Sequence, residues 1–275
     1  MTKSNEQMAS DQRHSKDFRS IRTLLPDEVF LLSDGKRPGP TDLVSEEVWD
    51  GIMHLPDDVA ITTSNHHGTQ LAALYTLWGD WLRAIGRKED ALFASMLDAA
   101  DCLQSSTFDF LHGYYRSAVS NLRSALELVA IGTLGNLVPD DKVYLRWKSS
   151  GASLAFPSCR PRLRNLTQEP ISTMLFKQGG WMETLYYKLC DYAHSRPGAS
   201  DGDMWRSNGP IYVGSVANGV FRLQTSTYGT CYVLAKIGRP ELIMPPNSEF
   251  LFKTSELHWM DDIASSFHTL SAVQG

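Results

Sequence analysis

Between Phe108 and Leu134 the apolar residues Leu111, Tyr115, Ala118, Leu122, Leu126 and Val129 recur at steps of three and four. That is the period of a helix burying one face in a bundle. Its second half holds one charge, Glu127, a turn after Arg123, among Val119, Ala130, Ile131 and Leu134. At 100° per residue, Arg116, Ser120, Arg123 and Glu127 share a ridge beside the apolar stripe. An unpaired buried carboxylate costs several kcal/mol. We therefore expect Glu127 to be buried, and either Arg123 at i−4 or a cation from a neighbouring helix to pair with it.

The rest of the chain reads as more helices around that one. Leu71, Leu74, Tyr75, Trp78, Trp81, Leu82 and Ile85 form a helical stripe that Ser64 or Asn65 can cap and Gly86 can end, and a second helix is expected from about Lys88 to Leu103. A short helix is expected at 140–148, and the proline-bearing stretch 149–170 reads as irregular. Another helix spans 181–194 and stops at Arg196-Pro197-Gly198. Residues 211–237 read as one more long helix, with a strand left open by their β-branched and aromatic content. The expected fold is mainly α, an up-and-down helical bundle with irregular N- and C-terminal extensions. Its parts are a polar leader with short helical pieces around 21–32 and 46–55 (1–60), the bundle (61–238) and a C-terminal extension with a short helix near 255–270.

Composition narrows the function classes. With 42% hydrophobic and 21% charged residues over 275, the chain can bury one main core. The apolar run 128–138 is far short of the ~20 residues that cross a bilayer, and the first residues lack the apolar stretch of a secretory leader. Four cysteines, 102, 159, 190 and 231, form no Cys-x-x-Cys pair. A cytoplasmic protein without a membrane span, cofactor or cysteine zinc site is expected. The net charge of −5 argues against bulk nucleic-acid binding, yet residues 142–177 carry seven Lys or Arg against Glu169 alone. Lys148, Arg160, Arg162 and Arg164 in this segment are candidate contacts to a nucleic-acid backbone, and a solvated basic loop is the alternative.

Chemistry is most concentrated at the end of the 181–194 helix. Tyr187, Asp191 and His194 fall on one face at i, i+4 and i+7, with Lys188 beside them. An imidazole with a carboxylate near it is a credible general acid or base, although a His at a helix C-terminus is also favoured by the dipole alone. His66 and His67 are adjacent and would point about 100° apart, a poor geometry for one metal. Asp201-Gly-Asp203 lacks the remaining ligands of an EF-hand, and Trp205 near it reads as structural. Glycine-rich phosphate loops, nucleophile elbows and dinucleotide fingerprints are absent from the sequence.

The run Gly113-Tyr114-Tyr115-x-x-Ala118-x-x-x-Leu122-Arg123-x-x-Leu126-Glu127, followed by Leu185-Tyr186-Tyr187-x-Leu189-Cys190-x-Tyr192-x-His194, resembles the HEPN-like helical domains of bacterial abortive-infection and toxin proteins, over about residues 70–235. The resemblance implies a dimeric helical bundle. In active members it implies a metal-independent ribonuclease whose Arg-x(4–6)-His motif lies at the dimer interface, supported by a polar residue on an earlier helix. By that likeness His194 matches the family histidine, and Arg123 or Glu127 the supporting position. Leu189, Lys188 and Tyr187 stand five, six and seven residues before His194, so Lys188 is the one cation where the family has arginine. A lysine offers a point charge in place of a bidentate fork. Two functions follow as expectations. One is a ribonuclease with His194, Lys188, Asp191, Arg123, Glu127 and Tyr187 in its catalytic set and RNA as substrate. The other is a noncatalytic interaction or dimerisation module in which the polar residues lock helix register.

Overall fold

The computed structural model describes residues 45–86, 90–150, 156–194 and 209–242, apart from the side chains of residues 53, 150 and 194. The chain divides into two compact units, Met1–Trp49 and Asp50–Gly275. Of the first, only residues 45–49, at the start of α1 (Glu46–Met53), are described. Among the described residues 84% are helical and none forms a strand.

The second unit is a helical bundle. Its helices are α2 (Leu55–Ile85), α3 (Ala91–Leu111), α4 (Tyr115–Leu137), α5 (Lys142–Ser150), α6 (Phe156–Leu166), a π-helical turn (Ser172–Phe176), α7 (Trp181–His194) and α8 (Gly214–Gly238). Helix α4 is the axle: α3, α8, α7, α6 and α5 all pack against it. From Ala125 to Gly135 every side chain of α4 is buried except the partly covered Leu128. The α3 crossing is close because Gly132 leaves room for it. A Cβ at Gly132 would fall 2.4 Å from Ser95 Cβ and 3.0 Å from the Ala91 carbonyl oxygen.

Several boundaries differ from the sequence reading, each for a local reason. Helix α2 starts nine residues or more before the expected Ser64 or Asn65 cap, because Pro56 in its first turn and Asp57 and Asp58 beside it supply a helix start. The long helix expected from Phe108 is broken. Residues 108–111 finish α3, and the chain reverses through Gly113, whose φ of +80° and contact with the Ile211 backbone admit no side chain. The stretch read as irregular contains α6, which carries Pro157 in its first turn and tolerates Pro161 within. Residues 214–238 are helical, which removes the strand alternative. The pieces expected at 21–32 and 255–270 lie outside the described residues.

Polar side chains close the helix ends. Asp90 caps α3 by accepting from the Phe93 N–H at 2.8 Å, and the same carboxylate pairs with Arg239. Arg239 also donates to the Ile85 carbonyl at 2.7 Å, so one buried guanidinium joins the ends of α2 and α8 to the start of α3. Beside it, Asn136 donates to the Gly238 carbonyl at 2.9 Å.

The same substitution has opposite outcomes at two helical glycines. Gly132→Ala should destabilise the protein by about 1–3 kcal/mol, because the α3–α4 crossing must open. Gly219→Ala, where an added Cβ meets nothing within 4 Å, should stabilise it by about 0.5–1 kcal/mol. Denaturant unfolding of both variants checks the pair.

Candidate functional site: a buried polar network on the central helix

Glu127 lies where α4, α6 and α7 meet and is 7% exposed. The Tyr186 hydroxyl of α7 donates to its Oε1 at 2.8 Å, and Arg123 Nε stands 3.7 Å from the same oxygen. The Tyr186 ring stacks on Phe156 of α6, centroids 4.2 Å apart and planes 17° from parallel. Tyr186 thus links the carboxylate of α4 to α7 and, through its ring, to α6. Burial raises the Glu127 carboxyl above its ordinary 4.5, while the Tyr186 hydroxyl and Arg123 pull it part of the way back. Burial, with the Glu127 carboxylate beside it, also raises the Tyr186 phenol. Cys159, on α6, is pushed up to about 12 by burial and then by Asp141, so its thiol is not an activated nucleophile.

The structure brings Arg123 and Glu127 together and distributes the other named residues. On α7, Lys188 is about 200° round the helix from Tyr186 and Tyr187 about 100°. Both are exposed, and Lys188 faces α8 across a groove. Asp191 is partly buried one turn beyond Tyr187. His194 ends α7 two turns beyond Tyr186, and its side chain lies outside the described residues, as do Arg196, Asp201, Asp203 and Trp205. Of the buried pair's partners, sequence reasoning missed Tyr186. It sits four residues before Cys190 on a ridge facing α4, and the adjacent pair Tyr186-Tyr187 in the helix text gave no signal of which would turn inward.

Two members of the basic segment are engaged in contacts within the chain. Arg160 donates to the Phe176 carbonyl at 2.7 Å and pairs with Glu183 at 3.3 Å, bracing α6 against α7 and the π-helical turn. Arg162 donates to Asp141 Oδ2 at 3.0 Å. Lys148 and Arg164 are exposed, with Lys148 over the Tyr144 ring. The two histidines diverge. His66 stacks on Tyr212, whereas His67 is buried between Phe110 and Phe221. Burial, and then the neighbouring His66, lowers the His67 pKa. Among the described residues no three His, Cys, Asp or Glu side chains gather as a metal site, and no helix is long and apolar enough to cross a membrane.

Chemically, the network can hold helices in register and store one poorly solvated charge. Its carboxylate is buried and accepts the Tyr186 hydroxyl. No protein-family model, curated protein or solved structure matches the chain.

Because the folded state raises the Glu127 pKa, its favourable contribution is complete below about pH 4.5 and is lost as pH rises through the folded value. The melting temperature of the wild type minus that of Glu127→Gln should therefore fall between pH 5 and pH 8. A gap that widens in favour of the wild type over that range would mean that Arg123 outweighs the desolvation.

Proposed function

We propose that this chain is a noncatalytic helical interaction module of HEPN-like architecture, in which Arg123, Glu127 and Tyr186 lock the register of the central helices and which pairs with a second copy. The observation that carries this reading is the closed hydrogen bond from Tyr186 to a Glu127 that is 7% exposed. A general acid or base must come within hydrogen-bond reach of its substrate, and this carboxylate is covered by its own helices. Arg160 and Arg162, used in intramolecular pairs, are likewise spent on bracing rather than on a nucleic-acid backbone. The exposed face of α2 supplies contact surface for a partner, with Ile61 and Tyr75 each at least 60% exposed.

A second reading, a metal-independent endoribonuclease of a bacterial defence or toxin system, is favoured by one observation. Lys188 opens onto a groove shared with Arg222 and lies six residues before His194 on the same helix. In that reading His194 moves the proton of an RNA 2′-hydroxyl, and Lys188 steadies the charge that develops on the phosphate.

Incubation of the purified protein with end-labelled single-stranded and transfer RNA in a chelator separates the two. The module reading expects intact RNA with both the wild type and His194→Ala, together with a dimer mass in solution by light scattering. Cleavage by the wild type that His194→Ala abolishes would establish the ribonuclease instead.

A further inference from the structure

Helix α2 is held unevenly along its length. Its second half, 71–85, buries Leu71, Leu74, Leu77, Trp78, Trp81 and Ile85. Its first half, 55–70, buries Pro56, Val59, Thr63 and His67, about one side chain per turn, and two of these four are polar. Apolar burial is the main force that docks a helix on its neighbours, and the first half has far less of it. Helix α2 packs mainly on α3 and α8 rather than on the α4 axle. Its first half can therefore move while Glu127 and Tyr186 stay in place.

Thr63 is satisfied within the helix, donating to the Val59 carbonyl at 2.9 Å. His67 is not. Its ring lies between Phe110 of α3 and Phe221 of α8, with centroids 5.5 and 5.2 Å away. Its Nε2 is buried and has no hydrogen-bond partner among the described residues. A neutral imidazole can leave that nitrogen unprotonated, but an imidazolium carries an N–H on both nitrogens. The second N–H would then point into the slot between the two phenyl rings with no acceptor to meet it, at the cost of burying an unpaired charge.

The charges around the slot do not offset that cost. His66, next to it on α2, opposes a second positive charge. One turn from Phe110 and Phe221 stand Ser106, Thr107, Ala217, Asn218, Gln224 and Thr225, all uncharged. Farther along α3, Asp109 accepts from Ser117 and Asn121 of α4, and His112 stacks on Phe108. On α8, Arg222 lines the groove against α7. Tyr212, stacked on His66, and Tyr115, packed on Phe110, are phenols that stay neutral in acid.

We propose that His67 is an acid-sensitive latch, which holds residues 55–70 against α3 and α8 while its ring is neutral and releases them when it takes up a proton, leaving the rest of the bundle closed. Burial makes the folded ring a weaker base than the unfolded one, whose ordinary value is 6.5. The stability that His67 contributes is therefore complete above about pH 6.5 and is lost as pH falls from there through the folded value. The released half carries the exposed Leu55 and Ile61, so acid changes the surface that α2 presents.

Hydrogen exchange of the full chain, followed by mass spectrometry at pH 7.5 and pH 5.0 and corrected for intrinsic rates, tests the latch. Protection over residues 55–70 should fall about fivefold or more at the lower pH, with 71–85 and 115–137 unchanged. His67→Phe and His67→Leu, neither of which can take up a proton, should show the same protection over 55–70 at both pH values, whereas His66→Gln should keep the fall. Equal protection of the wild type at the two pH values, the same fall in both His67 variants, or a fall of equal size throughout the bundle would overturn the proposal.

Discussion

Helix α4 gives up its solvent face over the half that follows Arg123, and the buried polar groups on that half must find partners in α4 itself or in a neighbouring helix. Thr133 does so with its own Val129 carbonyl and the Leu234 carbonyl of α8. Glu127 accepts a hydrogen bond from a tyrosine of α7, with the charge of an arginine one turn back 3.7 Å away. These bonds are directional, whereas the surrounding leucines and alanines would accept several sliding registers at similar cost. The desolvated carboxylate is therefore better understood as a constraint on arrangement than as a source of net stability, since burying it works against its ionised form.

Close packing supports the same arrangement. Gly132 and Gly135 leave no room beneath Ser95 and the Tyr144 ring, so α3 and α5 seat at fixed heights on α4. The ends are then fastened by Arg239, Asp90 and Asn136. Among the described residues, α2 and α7 each keep an exposed face outside this interlocking.

How much of this was legible depended on how local the cause was. The α4 stripe and the burial of Glu127 follow from a 3.6-residue period and could be read directly. So could Arg123 as a partner, because i−4 is fixed by helix geometry. Tyr186 could not be read, because which of Tyr186 and Tyr187 faces α4 depends on the rotation of α7, set by contacts about sixty residues away in sequence. The break at Gly113 was hidden for a similar reason: the turn is specified by the approach of the Ile211 backbone, not by the flanking text. The prolines of α6 misled because Pro157 stands in the first turn, where a helix bears it, and the helix also runs on through Pro161. Arg160 and Arg162 read as free positive charge, and only tertiary contact reveals Glu183 and Asp141 as their partners.

The central claim is that Tyr186 and Glu127 act as one structural unit, and a double-mutant cycle measures that coupling most directly. Unfolding of the wild type, Tyr186→Phe, Glu127→Leu and the double variant by denaturant gives the pairwise energy free of the burial each side chain shares with its surroundings. The account predicts a coupling of about 1 kcal/mol or more, in keeping with a hydrogen bond to a buried carboxyl. Additive single effects, with a coupling near zero, would contradict it.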